Sequence, residues 1–171
     1  MSTVISASKA LMYPGQIYLV EEHAIEVEEQ SFFGDIIRFE DVSLTGEMLA
    51  TETSVSIRGT ITATAVTRCA RCLGKAVLPM EVEMDDVFKR QIDPDDPDAY
   101  LFEGSSIEVN EAVKNALILQ LPYRIVCSED CKGLCPRCGK NLNEGSCTCQ
   151  EGVKVMNPFS ALRAIVENEE V

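Results

Sequence analysis

SVSIRGTITATAVTRCARCLGKAVLPMEVEMD, residues 54–85, decides how this chain folds. Val55, Ile57, Ile61, Ala63 and Ala65 alternate with Ser56, Arg58, Thr60, Thr62 and Thr64. A period of two puts one set on a buried face and the other in water, and the many β-branched residues suit a pleated strand. Leu78, Met80, Val82 and Met84 repeat the alternation against Pro79, Glu81, Glu83 and Asp85. Cys69-Ala-Arg-Cys72-Leu-Gly-Lys75 joins the two. This describes a β-hairpin, with Gly74 supplying the turn and a cysteine pair at its tip.

Toward the N-terminus, residues 7–13 suit a short helix ended by Pro14-Gly15. From Gln16 to Val27 the apolar residues Ile17, Leu19, Ile25 and Val27 keep odd positions, as in a half-buried strand. The lone histidine, His23, shares that phase and reads as a partly buried strand residue rather than a ligand or catalyst. Phe32, Phe33, Ile36, Ile37 and Phe39 suggest another strand or turn, and Val42 to Ala50 one more. Beyond the hairpin, Asp93-Pro-Asp-Asp-Pro-Asp98 is expected as an exposed loop without the pattern of a calcium loop. Residues 110–121 read as a helix capped by Asn110, with Val113, Ala116, Leu117 and Leu121 on one face and Pro122 as its stop. Asn157-Pro158 opens a last helix whose stripe of Phe159, Leu162, Ile165 and Val166 suits docking on the protein's own core. Strands first and helices later predict an α+β fold: an antiparallel β-sheet or partly closed barrel, a few helices and a C-terminal zinc-knuckle module. The expected parts are a β-rich core, 1–126, with acidic loop 93–104 and helix 110–121, a cysteine-rich zinc module, 127–151, and a C-terminal helix, 152–171.

All eight cysteines fall into metal-ligand spacing: Cys69-x2-Cys72, then Cys127-x3-Cys131-x3-Cys135-x2-Cys138-x8-Cys147-x-Cys149. Eight thiols are two sets of four, and four thiolates complete a tetrahedral zinc site. Residues 1–15 lack the basic start and apolar core of a signal peptide, and no apolar run is long enough to cross a bilayer. The chain therefore reads as cytoplasmic, where clustered cysteines bind metal or do redox chemistry more often than they form disulfides. Two zinc ions are the expectation; thiol–disulfide redox and iron–sulfur ligation are the alternatives. Cys135, Cys138, Cys147 and Cys149 look self-contained, although the Cys-x-Cys pair must bend for both sulfurs to reach one ion. Cys69 and Cys72 then join Cys127 and Cys131. The rival partition groups Cys127, Cys131, Cys135 and Cys138, leaving Cys69 and Cys72 to Cys147 and Cys149.

Net charge is −13 over 171 residues, and zinc-bound thiolates would make it more negative. Such a field repels nucleic acid on average and favours basic partners, so RNA binding needs a local positive surface. Seven of the 15 Lys and Arg residues provide one. Arg68, Arg71 and Lys75 flank the first cysteine pair, and Arg124, Lys132, Arg137 and Lys140 lie in or beside the second cluster. Their bland role is to offset thiolate charge. One histidine, no phosphate-cradling glycine loop and no nucleophile constellation argue against an enzyme.

The chain resembles the YceD-type large ribosomal RNA accumulation proteins. The resemblance rests on Cys-x-Arg-Cys-Leu at 69–73, Val87-Phe88, the helix running into Leu121-Pro122, and Cys127-Ser-Glu-Asp-Cys131-Lys-Gly-Leu-Cys135-Pro-Arg-Cys138-Gly with Asn141-Leu-Asn143. Asn157-Pro-Phe159 completes it, and the N-terminal third matches only loosely, at Leu11-Met-Tyr-Pro-Gly15. It implies a role in 23S rRNA synthesis, processing or stability, hence in large-subunit biogenesis, but supplies no active site. The expected function is that of a non-enzymatic zinc-binding factor. Its partner would be 23S rRNA or a pre-ribosome, or a basic large-subunit ribosomal protein, contacted through Arg68, Arg71, Lys75, Arg137 and Lys140. No membrane partner is expected. The competing reading is a redox-switched zinc thiol protein, since Cys-x-Cys with Cys-x-x-Cys also resembles the zinc module of a redox-switched heat-shock chaperone.

Overall fold

The structure, a computed structural model, describes residues 2–91 and 99–149. The expected loop 93–98 and the C-terminal helix lie outside the described residues. The described elements, in order, are β1 (Val4–Ser6), α1 (Ser8–Met12), β2 (Ile17–Glu22), β3 (Gln30–Phe32), β4 (Asp35–Ala50), β5 (Ser54–Arg68), β6 (Lys75–Lys89), β7 (Tyr100–Leu101), β8 (Ser106–Glu108) and α2 (Asn110–Leu119). Contacts divide the chain into two compact units, 1–131 and 132–171. The division falls five residues beyond the boundary placed at 126 from sequence and leaves Cys127 and Cys131 with the sheet.

In the first unit the expected hairpin is formed by β5 and β6, paired without a break from Ser54↔Lys89 to Arg68↔Lys75. Val55, Ile57, Ile61, Ala63 and Ala65 face the core, as do Met80, Val82 and Met84 opposite them. The main sheet runs β2-β4-β5-β6-β7. Its pairs are antiparallel except the short parallel β6–β7 pair. Among the described residues the sheet is open and the partly closed barrel does not form; the edge strand β7 is two residues long. β1 pairs with β8 in a separate two-stranded sheet. The α2 helix lies against β6 and buries Ala112, Val113 and Leu117.

Phe32 to Ala50 does not divide as the sequence pattern suggests. Phe32 ends the short β3, whereas Ile36 to Ala50 belong to one strand, β4, interrupted by a bulge between Glu40 and Ser43. Asp41 takes a left-handed backbone there, with φ 53°. The extra residue shifts the buried phase from odd positions (Ile37, Phe39) to even ones (Val42, Leu44, Met48), and a phase break reads as a strand boundary. Farther along, Gly46 pairs directly with Gly59. A Cβ on Gly46 would stand 2.1 Å from the Arg58 carbonyl oxygen, so only glycine permits this backbone approach.

Three local expectations are corrected. β2 ends at Glu22, and its odd residues face water: Ile17 and Leu19 are exposed while Val20 is buried. As an edge strand paired on one side only, β2 covers the core with a single large side chain. His23 follows the strand and is exposed, beside Glu21 at 3.2 Å. Asn110 does not cap α2. Its Oδ1 accepts from the Thr3 N–H at 2.6 Å and its Nδ2 donates to the Glu26 carbonyl at 2.7 Å, so two main-chain segments have captured the side chain.

Candidate metal centre

The hairpin tip is shaped by its own backbone. The Cys69 N–H donates to the Gly74 carbonyl at 2.7 Å, the Leu73 N–H donates to the Cys69 carbonyl at 2.9 Å, and the Arg71 N–H points at Cys69 Sγ at 3.4 Å. Leu73 turns the chain in the left-handed region, φ 60°. In the second unit the Cys135 N–H donates to the Lys140 carbonyl at 2.8 Å and the Gly139 N–H to the Cys135 carbonyl at 2.9 Å, with Gly139 at φ 72°. The two Cys-x-x-Cys turns are the same device. Leu73 stands where the other copy has glycine.

The sulfurs gather as Cys69, Cys72, Cys127 and Cys131 in one tetrad and Cys135, Cys138, Cys147 and Cys149 in the other, each within 4.8 Å of its set-mates. This geometry favours the first partition over its rival. All eight are free thiols. A tetrahedron with metal–sulfur bonds of about 2.3 Å has sulfur–sulfur edges of about 3.8 Å. Cys69–Cys131 at 3.8 Å and Cys72–Cys127 at 3.7 Å match that edge, and Cys135–Cys147 at 3.4 Å lies a little inside it. The donor sets fit a four-coordinate, thiolate-loving metal. A bend at Thr148 brings both sulfurs of the Cys-x-Cys pair to one centre.

Each tetrad spreads its thiol acidities apart. Burial raises the Cys69 thiol, but the N–H groups of Cys72 and Arg71 outweigh it and bring Cys69 down to about 6. Cys135 comes down to about 6 through the N–H groups of Cys138 and Arg137. Hydrogen bonding to the sulfurs of Cys131 and Cys72 pushes Cys127 up to about 12, and bonding to Cys138 does the same for Cys149. In each tetrad one thiol is thus made acidic by backbone N–H groups, and another is held protonated by hydrogen bonding to neighbouring sulfurs.

The five basic residues singled out from sequence are all exposed, and several have local partners. Arg68 Nε donates to Asp35 Oδ1 at 2.6 Å. One Arg71 guanidinium nitrogen donates to the carbonyls of Glu129 (3.2 Å) and Cys131 (3.0 Å), tying the hairpin tip to the segment that carries the other two ligands. The Ala70 N–H adds a bond to the Ile125 carbonyl at 2.9 Å. Lys75 pairs with Arg68 across the hairpin. In the second unit Lys140 Nζ donates to the Ser146 carbonyl at 2.8 Å, bracing the loop that returns Cys147, while Arg137 lies between that unit's first two ligands. Asn143 Oδ1 accepts from the Lys132 N–H at 2.8 Å, which gives the Asn141-Leu-Asn143 motif a structural use. The clamp made by Arg71 is not legible from sequence, where its only signal is a position between two ligands.

The sequence profile of the family described as large ribosomal RNA subunit accumulation protein YceD matches residues 57–166, well over half of the chain. The chain belongs to the YceD family. Both tetrads lie inside the matched stretch. An uncharacterized protein of Bacillus subtilis, YlbN, is 28% identical over 131 residues, covering 75% of this chain and 76% of the relative. An uncharacterized protein of Mycobacterium tuberculosis is 32% identical over 93 residues, 52% of this chain but only 45% of the relative's length. The large ribosomal RNA subunit accumulation protein YCED homolog 1, chloroplastic, of Arabidopsis thaliana is 30% identical over 70 residues, 40% of this chain and 22% of the plant protein. No solved structure matches. Among the described residues no helix is long and apolar enough to cross a membrane.

Proposed function

We propose that this YceD-family chain is a non-enzymatic factor in 23S rRNA accumulation that holds two structural zinc ions and contacts the RNA, alone or within a pre-ribosome in the cytoplasm, through basic residues beside them. The observation that carries the reading is the first tetrad. It joins the hairpin tip to residues 127–131 and leaves Arg68, Arg71 and Lys75 exposed around the junction. Four thiolates at tetrahedral spacing favour zinc, and a closed S4 set favours scaffolding over catalysis. Structural zinc binding is worth about 10–16 kcal/mol, enough to hold a junction between distant segments. The family's name supports large-subunit RNA as the target.

The test is crosslinking in cells followed by sequencing of bound RNA, with a pull-down of bound proteins in parallel. Expected are 23S rRNA fragments, depleted when Arg68→Glu and Lys75→Glu are combined, while zinc content stays unchanged. Undiminished association in that variant sinks the basic surface. Recovery of a basic ribosomal protein with no RNA sinks RNA as the direct partner.

A further inference from the structure

Beside the first tetrad, within the same compact unit, a pocket of about 200 Å³ opens among Phe33, Thr67, Arg68, Tyr123, Arg124 and Ile125. We propose that this pocket holds one unpaired nucleobase of an RNA strand, stacked on the Phe33 and Tyr123 rings with its phosphates toward Arg68 and Arg124. The inference rests on the RNA-binding reading above and names the residues that would grip the strand.

Three observations carry it. Phe33 and Tyr123 stand with ring centroids 4.6 Å apart and planes at 58°, yet each is 70% exposed. Two aromatic rings therefore meet in water instead of in the core. Phe33 also occupies a difficult turn. Only Phe33 and Gly34 separate β3 from β4, and both have positive φ, 48° and 87°. Such two-residue hairpin turns favour Asn-Gly, and a bulky residue at the first position is strained. Phe33 meets Phe32 edge-on at 4.6 Å as well as Tyr123, and the turn holds its ring out at the pocket. Finally, the pocket is fastened to the metal centre. The Ile125 carbonyl accepts from the Ala70 N–H, and Ala70 lies between two metal ligands, so Tyr123 is placed by the segment that the tetrad anchors.

Charge and size choose the occupant. Arg124 is exposed and makes no ion pair among the described residues, and Arg68 shares its guanidinium with Asp35. Planar cations beside aromatic faces are how proteins hold single-stranded nucleic acid. The volume falls below the ~300–1,000 Å³ typical of sites for larger organic ligands and suits one ring system. A duplex keeps its bases stacked on each other and cannot offer one.

The experiment titrates the zinc-loaded full chain into a short single-stranded RNA carrying one 2-aminopurine, whose fluorescence is quenched on stacking, beside a duplex of the same sequence. Phe33→Ala and Tyr123→Ala should each weaken single-strand binding about 5- to 100-fold and relieve the quenching. The salt dependence should stay unchanged in both. Arg124→Ala should instead lower the salt slope by about one. Tyr123→Phe should bind as the parent does, and Tyr123→Leu, which keeps apolar bulk without a ring, should not. Zinc content and thermal unfolding confirm that each variant is folded. Full RNA affinity in the Phe33 and Tyr123 alanine variants overturns the pocket and leaves the RNA reading standing. A chain that binds no RNA overturns both. Parent-like RNA binding by Tyr123→Leu overturns stacking, and loss of a bound ribosomal protein from the Phe33 and Tyr123 alanine variants with RNA binding intact overturns the base pocket and identifies an apolar protein contact instead.

Discussion

In the folded chain the Arg71 guanidinium bridges the carbonyls of Glu129 and Cys131. Arg71→Met should cost about 1.5 kcal/mol in chemical denaturation, because charge-assisted hydrogen bonds are lost while the alkyl stem remains. It should also hasten zinc loss from the first tetrad and leave the second unaffected, as native mass spectrometry resolves. The thiols make a separate prediction with a definite sign. Cys127, pushed up to about 12, is protonated in the metal-free chain at neutral pH, and metal binding must release that proton. The metal-bound state carries fewer protons, so lowering pH favours the metal-free state. Below about 6 the Cys69 thiolate protonates too, and the fall in affinity steepens. Competition with a chromophoric chelator across this range measures it; a flat profile contradicts the assigned proton inventory.

The β5–β6 hairpin was legible because its alternation never breaks and its cysteine pair marks the tip. β4 was not, because one left-handed residue, Asp41, inverts the pattern halfway along. β2 misled for a different reason: apolar residues at an edge can sit on the wet face, and periodicity alone does not say which face is covered. The Gly46–Gly59 pair lies in the region read as strand, yet its meaning depends on register, which no single strand reveals. Gly59→Ala would put a Cβ 2.3 Å from the Thr45 carbonyl oxygen. It should destabilise the sheet by about 3 kcal/mol, the upper range for overpacking, read as a shift in denaturation midpoint. In the knuckle, Gly139→Ala should cost about 1 kcal/mol through its left-handed φ. Leu73→Gly should be tolerated, since it places in the first turn the residue that the second turn already uses.

Across the molecule, the two tetrads differ in cover. Cys69, Cys72 and Cys131 are buried and only Cys127 is exposed, whereas in the second set only Cys135 is buried. Mild chelator or peroxide should therefore empty the second site first. Cys69→Ser with Cys72→Ser should lose one zinc and retain the other; loss of both contradicts the partition. The ligand types and the number of sites could be read from spacing. Their assignment to two compact units needed the fold to bring residues 55 positions apart, Cys72 and Cys127, within 3.7 Å. That separation is also an interval in time. A ribosome adding about 5–20 residues per second delivers Cys127 some seconds after Cys72, so the newborn hairpin waits with half a site. The first tetrad can therefore close around a metal only after both the hairpin turn and the helix behind it have been synthesised.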